Sequence, residues 1–196
     1  MKKMFLAVCI VFALSVAQVG AAPISSSFTG SFNTDDDVEF FSFAVTEPSL
    51  VTLRTWSYAG GTNAEGNTIS AGGFDPIITL FNGTGNLIDD NDDGAGVAAD
   101  PVTGAEFDAV LSIFLDIGNY TASLTQYANF AIGPNLADGF TGSGVTGFVD
   151  ADGNTRTSAW AFDIVISELP EPTSVALLGL GLVSLAFTRR SIKKIS

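Results

Sequence analysis

The chain has 196 residues, a formal net charge of −13 and no histidine. Without an imidazole it can build neither a Ser-His-Asp or Cys-His catalytic site nor a histidine-ligated zinc site, and its negative charge repels nucleic-acid phosphates. A single cysteine, Cys9, excludes a disulfide within the chain.

The first residues have the layout of a secretory signal peptide. Two lysines precede an apolar stretch over residues 4–16, and small residues follow at positions 20–22. Cleavage after Ala21 keeps Pro23 away from the position just after the cut. We therefore predict a signal peptide over residues 1–21, removed by signal peptidase.

An acidic stretch of ordinary domain size follows. Residues 22–169 contain 20 of the 21 acidic residues and only Arg54 and Arg156 as bases, which gives a formal charge of −18. Such a charge favours divalent cations as partners and disfavours nucleic acid. We predict one exported domain over these residues.

Eight short segments of this domain are rich in Phe, Val, Ile, Thr and Tyr, as β-strands are. Alternation with period two is clearest at residues 41–45 and 51–55, and clusters of Gly, Asn, Asp and Pro separate the segments. We predict an all-β fold, an antiparallel, jelly-roll-like β-sandwich of about eight strands. The predicted strands cover residues 26–32, 38–45, 50–56, 77–81, 86–89, 109–115, 119–127 and 159–166.

The strongest chemical signal is an acidic loop that follows a hairpin predicted at Asn82-Gly83. Residues 89–94 read Asp-Asp-Asn-Asp-Asp-Gly, close to the calcium-loop template, and Asp100 stands at its twelfth position with a shorter side chain than the usual glutamate. Alternate oxygen-bearing side chains in a curling loop converge on one point. We predict calcium in or beside this loop; the alternative is that these acids only solvate the loop and cap turns.

Other acidic residues are weaker candidates. The loop at residues 150–154 alternates aspartates but has Thr155 where the calcium template has glycine. Asp75 and Asp108 are interpreted as turn residues, although either would lie near Asp89 if the strands pair as predicted.

The C-terminal segment combines a polar motif, an apolar run and a basic end. Pro170, Glu171 and Pro172 precede the uncharged residues 173–188, and two arginines, Arg189 and Arg190, follow. As a helix, the 17 residues between Glu171 and Arg189 extend about 25 Å, a marginal span for a hydrocarbon core of about 30 Å. The basic end favours the cytoplasm, so we predict a transmembrane helix with the domain outside.

This order resembles the PEP-CTERM sorting signal of Gram-negative bacteria, over residues 170–196. The resemblance implies a precursor held transiently in the inner membrane through the C-terminal helix. It further implies an exosortase as a partner and the cell surface or the extracellular space as the destination.

A second resemblance covers about residues 26–127. An acidic stretch before a Phe-rich strand, an Asp-led strand with a Gly hairpin, an Asn-Asp-Asp loop and a late Gly-x-Tyr-Thr strand resemble the bacterial pre-peptidase C-terminal domain. The resemblance implies a small, non-catalytic sandwich that is often stabilised by calcium. The chain departs from it by two insertions, at residues 58–73 and 130–158. The ligand candidates that it implies are Asp35, Asp37, Asp89, Asn91, Asp92 and Asp93.

Three functions fit these features. The preferred one is a non-enzymatic surface or matrix protein, associated with exopolysaccharide or biofilm and having no catalytic residues. The alternative is a calcium-dependent carbohydrate-binding module, and the weakest is a glycoside hydrolase, because some pair among 20 acids always looks suitable. Exposed, clustered aromatic rings would favour the module, and buried rings the matrix protein. The aromatic residues considered for stacking on sugars are Trp56, Tyr58, Tyr127, Phe130 and Trp160.

Overall fold

Ten strands and one short 3₁₀ turn, at Leu136–Asp138, are present in this computed structural model, which describes residues 22–142, 147–169 and Gly181. Among these residues, no helix is long and apolar enough to cross a membrane. The predicted signal peptide and the apolar run of the tail lie outside the described residues, Gly181 apart. The strands are β1 Ile24–Ser31, β2 Glu39–Val45, β3 Ser49–Thr55, β4 Gly61–Thr62, β5 Thr68–Ile69, β6 Pro76–Asn82, β7 Leu87–Asn91, β8 Val110–Leu115, β9 Gly118–Gln126 and β10 Ala159–Glu168.

The predicted all-β, antiparallel fold is confirmed. One sheet has the order β1-β10-β3-β8 and the other has the order β2-β9-β6-β7, while β4 and β5 form a separate small hairpin. All eight predicted strands overlap an observed one. Successive long strands pass from one sheet to the other, except for the hairpin pair β6 and β7, and this is the strand order of a jelly roll.

The core lies between the two sheets and is rich in phenylalanine. The ring of Phe41 on β2 stacks on that of Phe162 on β10, with 4.4 Å between the centroids. Val51 and Leu53 face the same core because alternate side chains of β3 point inward, and both are fully buried. The period-two alternation in the sequence therefore identifies the side chains of β3 that face the core.

The first insertion folds over the outer face of the first sheet. Its β4–β5 hairpin places the backbone N–H of Ala64 2.7 Å from a carboxylate oxygen of Asp163 on β10. The absence of a side chain at Gly61 lets the hairpin approach the Trp56 ring, because a Cβ there would lie 2.7 Å from a ring carbon. The hairpin consequently buries polar side chains that an open sheet would leave in water.

The segment at residues 127–142 crosses the outer face of the second sheet. At one side the ring of Phe140 packs 6.0 Å from that of Phe40 on β2, and at the other the Leu87 N–H donates to the Pro134 carbonyl at 2.7 Å. Phe81 points away from the core, since it alternates with the core residue Leu80, yet it is fully buried. We infer that this segment is what covers it.

The strand register gives the sandwich two different ends. Ile24 pairs with Ile166, and Ser49 pairs with Glu168. The first residue of β1 and the last residue of β10 therefore lie at the same end of the sandwich, here called the terminal end. The opposite end, here called the acidic end, carries the long connections at residues 32–38, 56–75, 92–109 and 127–158. Most of the carboxylates of the domain therefore lie at the acidic end.

Replacement of Phe162 by alanine should remove the centre of the core. We expect Phe162→Ala to lower the free energy of unfolding by about 3–5 kcal/mol, because it leaves a cavity against Phe41. Phe114→Ala is the matched control, since Phe114 is 66% exposed, and its effect should stay within about 0.5 kcal/mol. Urea unfolding of the full chain measures both, and equal effects would contradict this core.

Candidate metal centre

Three aspartates meet at the acidic end of the second sheet. Asp75 directly precedes β6, and Asp92 and Asp93 directly follow β7. Because β6 and β7 are antiparallel, with Ile78 opposite Asn91, the start of β6 lies beside the end of β7. One carboxylate oxygen from each aspartate lies within 4.8 Å of the others. These three side chains are called the aspartate cluster below.

The aspartate cluster carries its charge at a cost in free energy. Asp75 is only 2% exposed, and one oxygen of Asp75 and one of Asp92 are buried with no hydrogen-bond partner among the described residues. Burial, reinforced by the charges of Asp92, Asp93 and Asp150, raises the pKa of Asp75 to about 8. Burial and the neighbouring carboxylates of Asp93 and Asp90 raise the pKa of Asp92 to about 6. Burial also raises the pKa of Asp93.

No cationic side chain in the described part of the domain compensates this charge. Arg156 pairs with Asp100 at 2.8 Å, which is the single ion pair among residues 22–142 and 147–169. The guanidinium of Arg54 lies over the Trp56 ring, 4.1 Å from its centroid. Both arginines of the domain are therefore engaged away from the aspartate cluster.

The chemistry of the aspartate cluster fits a hard divalent cation. Calcium accepts six to eight oxygen ligands, and three carboxylates supply a large part of such a set together with the charge that balances the ion. The two buried oxygens without partners are the atoms that a cation would satisfy. Asp75, Asp92 and Asp93 are thus the residues that would hold calcium.

Two of these three residues, Asp92 and Asp93, are among the sequence candidates, whereas Asp75 was interpreted as a turn residue. The signal that identifies Asp75 is the hairpin at residues 82–86, because the residue before the first strand of a hairpin returns beside the residues after its second strand. Asp75 therefore lies beside Asp92 and Asp93, at the end of the acidic run, and not beside Asp89.

The structure does not bring Asp89, Asn91 or Asp100 into the aspartate cluster. Residues 87–91 form β7, an extended strand in which Asp89 and Asn91 lie on one face about 6–7 Å apart, so their side chains do not converge as they would in a curling loop. The Asn91 amide oxygen accepts the Val110 N–H at 2.8 Å, which attaches the loop to β8. The Asp89 carboxylate accepts the N–H of the next residue.

Asp100 is a structural carboxylate. It is 2% exposed and accepts hydrogen bonds at 2.8 Å from the Arg156 guanidinium and from the N–H groups of Val102 and Thr103. Although burial opposes its ionisation, these bonds and the charge of Arg156 lower its pKa to about 2.

The candidates at the start of the domain, Asp35 and Asp37, lie in the turn between β1 and β2. Asp37 accepts the Asn33 N–H at 2.6 Å and also bonds Thr34, and these hydrogen bonds, that of the Asn33 backbone first, lower its pKa. Asp35 is buried and one of its oxygens has no partner within the described chain. Neither residue is part of the aspartate cluster. Through its hydrogen bonds to residues 33 and 34, Asp37 instead caps the turn.

Three further carboxylates hold the insertions in place, and sequence patterns did not single out this role. Asp108 accepts the N–H groups of residues 57–59 and the Thr55 hydroxyl. Asp163 accepts the Trp56 indole N–H at 2.6 Å. Asp150 accepts the Tyr58 hydroxyl at 2.6 Å; although burial opposes its ionisation, this bond and those from residues 152 and 154 lower its pKa.

The aromatic residues proposed for sugar stacking are mostly covered. Tyr58 is fully buried and Trp160 is 9% exposed, so the faces of their rings are not available. Trp56 is half-buried, with Arg54 over its ring, and Tyr127 is half-buried against the ring of Phe130, 5.9 Å away. These rings do not form an exposed cluster, which favours the matrix-protein hypothesis.

The aspartate cluster also differs from a glycosidase acid pair. Such pairs are two carboxylates that flank a cleft about 5–9.5 Å apart. Asp75, whose pKa is raised, is almost completely buried and has two other carboxylates within 4.8 Å. It is therefore not placed to protonate a glycosidic oxygen.

Comparison with known families identifies the C-terminal segment. The PEP-CTERM protein-sorting motif matches residues 168–190, which include Pro170, Glu171 and Pro172. The chain carries a PEP-CTERM sorting signal. A PEP-CTERM protein is exported by way of a membrane-anchored precursor and is processed by an exosortase.

No curated protein matches this PEP-CTERM chain. Among solved structures, it is similar to the pre-peptidase C-terminal domain of a collagenase from Bacillus anthracis. That similarity has a TM-score of 0.38 and 9% sequence identity, and it covers 74% of this chain and 90% of the collagenase domain.

The raised pKa values predict how the PEP-CTERM protein responds to pH without metal. Asp75 and Asp92 titrate near pH 8 and pH 6 in the folded state but near pH 4 when unfolded. The folded state therefore binds more protons between these values, and its stability falls as pH rises. In a calcium-free buffer with chelator, we expect the melting temperature to decrease from pH 5 to pH 8.

Calorimetry of the full chain measures this trend, with the double variant Asp75→Asn and Asp92→Asn as control. The variant should have a flatter profile, because the two titrating carboxylates are replaced by neutral amides. A wild-type melting temperature that rises from pH 5 to pH 8 would show that the folded-state pKa values of the aspartate cluster are not raised.

Proposed function

We propose that this chain is a non-enzymatic surface or matrix protein of a Gram-negative bacterium, stabilised by calcium and associated with exopolysaccharide in a biofilm. The observation that carries the proposal is the aspartate cluster of Asp75, Asp92 and Asp93, three carboxylates within 4.8 Å of one another. It is a site built for a cation in a domain that the sorting motif directs out of the cell.

The surroundings of the aspartate cluster support calcium as that cation. Two of its oxygens are buried without hydrogen-bond donors, and both arginines of the domain are engaged elsewhere. Oxygen-only sites suit calcium and magnesium, and extracellular calcium modules work with affinities of about 10⁻⁴–10⁻³ M. A site of modest affinity would therefore fill after export.

The roles of the other acids support a non-enzymatic domain. Asp100, Asp108, Asp150 and Asp163 are each buried and occupied by hydrogen bonds that hold connections to the sandwich. A catalytic acid must reach its substrate, whereas these carboxylates are satisfied inside the fold. The absence of histidine removes the commonest general base.

A carbohydrate-binding module is the second candidate, and one observation favours it. A small groove beside the β4–β5 hairpin is lined by the hydroxyl-bearing residues Thr29, Ser57, Thr68 and Ser70. Recognition through the faces of Tyr58 and Trp160 is not part of this candidate, because both rings are buried.

Calcium should raise the melting temperature of the protein through Asp75. A ligand that binds only the folded state stabilises it by about 2.7 kcal/mol at one hundred times its dissociation constant, which corresponds to about 5–10 °C for a domain of this size. We expect Asp75→Asn to abolish this increase and to raise the melting temperature in chelator, because it removes a carboxylate whose burial raises its pKa and so opposes folding near neutral pH.

Asp100→Asn is the matched control, since Asp100 is equally buried but pairs with Arg156. It should destabilise by about 3–5 kcal/mol, by leaving the arginine unpaired, and to the same extent with calcium and with chelator. Identical wild-type melting temperatures with calcium and with chelator would contradict the metal proposal. A calcium effect that is lost in Asp100→Asn but kept in Asp75→Asn would place the site elsewhere.

Export should be accompanied by loss of the tail. We expect the intact mass of protein recovered outside the cell to end near residues 170–172, because the exosortase motif lies there. The double variant Pro170→Ala and Pro172→Ala should keep its tail and remain with the membrane fraction. Extracellular wild-type protein that still contains Arg189 would contradict processing.

A further inference from the structure

Four exposed apolar side chains lie at the terminal end of the sandwich, and they are called the apolar rim below. Among the described residues, eight large hydrophobic side chains are exposed, and half of them belong to this end: Ile24 at 56%, Phe114 at 66%, Ile117 at 68% and Leu169 at 51%. Exposed apolar side chains that are scattered singly are ordinary, whereas their concentration in one place marks an interaction surface.

The strand register places the apolar rim across the whole end of the first sheet. Glu168 pairs with Ser49, and Ser49 pairs with Leu115. Leu169, the next residue, therefore lies beyond the last paired row, two strands away from the turn that carries Ile117. Ile24 and Phe114 belong to the two edge strands, β1 and β8, which are about 14 Å apart. The apolar rim is thus as wide as the sheet.

The terminal end carries little of the charge of the domain. Its connections are three short turns, at residues 46–48, 83–86 and 116–117. These turns, the end of β10 and the segment that packs on the second turn contribute four of the 20 carboxylates: Glu47, Asp116, Asp138 and Glu168. A negatively charged lipid surface consequently repels the terminal end less than it repels the acidic end.

The covalent chain limits the distance between this end and the anchor of the precursor. The sorting signal implies a membrane-anchored precursor, and the anchor predicted from the sequence is the uncharged run of residues 173–188. Three residues separate that run from Leu169. The four steps from residue 169 to residue 173 span at most about 14 Å, however the chain between them is arranged. The terminal end therefore cannot lie far from the bilayer surface.

We propose that the terminal end of the sandwich rests on the lipid surface in the anchored precursor. Phe114 and Ile117, the two most exposed members of the apolar rim, enter the interfacial layer of the bilayer, and the aspartate cluster at the opposite end stays in water. The tether gives the rim a high effective concentration of lipid, so a contact by a few side chains is sufficient. The inference goes beyond the proposed function and depends on neither calcium nor exopolysaccharide.

Quenching of tryptophan fluorescence by brominated lipid tests this orientation. The full chain is reconstituted into vesicles of phosphatidylcholine with bromine atoms on the acyl chains, which quench a tryptophan only at close range. Trp56 and Trp160 are the only native tryptophans, and Trp160 precedes Glu168 by eight residues of strand, about 26 Å. We expect the wild type to keep its emission, because both indoles lie at the acidic end.

Two variants place a new tryptophan at opposite ends of the sandwich. We expect Ile117→Trp to add an emission that is blue-shifted in ordinary vesicles and lost in brominated vesicles. Val102→Trp is the matched control, since Val102 is 88% exposed and lies in a connection of the acidic end. Its added emission should stay at long wavelength and should not be quenched. The control also shows whether an added tryptophan is itself enough to bind lipid.

The outcomes separate contact from mere tethering. Unquenched, long-wavelength emission from Ile117→Trp means that the sandwich is held near the bilayer without touching it, and this overturns the proposal. Equal quenching of Val102→Trp, or quenching of the native tryptophans, also overturns it, because the sandwich would then have no such orientation. Phe114→Trp provides a second probe of the apolar rim if Ile117→Trp does not fold, as judged by its melting temperature, and the same result is expected of it.

Discussion

The shortage of positive charge is the constraint on which the exported domain depends. Twenty carboxylates share two guanidinium groups, and both of these are engaged, one with Asp100 and one over an indole ring. The buried carboxylates are therefore stabilised mainly by N–H and O–H donors, as Asp108 and Asp150 show. Where such donors are missing, at one oxygen each of Asp75 and Asp92, either a proton or an external cation would compensate the charge.

The same carboxylates connect the two insertions to the sandwich. A jelly roll buries the inner faces of its sheets without help, but here the outer faces are covered too, by the β4–β5 hairpin and by residues 127–142. Asp163 accepts a hydrogen bond from the backbone N–H of Ala64 in the hairpin, and Asp108 accepts one from the backbone N–H of Tyr58, just before the hairpin begins. Acidic composition and an enlarged fold are in this sense one feature, because the insertions provide the donors that the acids need.

The sequence predicts the strands well and the aspartate cluster only in part. Alternation at residues 51–55 and the Asn-Gly turn at residues 82–83 are local signals, so β3 and the β6–β7 hairpin follow from them. Asp75 depends on the pairing of two strands, and the calcium-loop spacing misleads because β7 continues to Asn91. The burial of Tyr58 could not be predicted from the sequence either, because it depends on the positions of the loops at residues 100–103 and 150–156.

The two ends of the sandwich lie far enough apart to be electrostatically independent. The chain leaves the fold at Leu169, after a last strand of ten residues that runs the whole length of the sandwich, a distance of about 30 Å from the acidic end. That separation is several times the Debye length of about 8 Å. A charge at the point where the last strand ends is thus screened from Asp75, so the electrostatics of the aspartate cluster are set by groups at the acidic end.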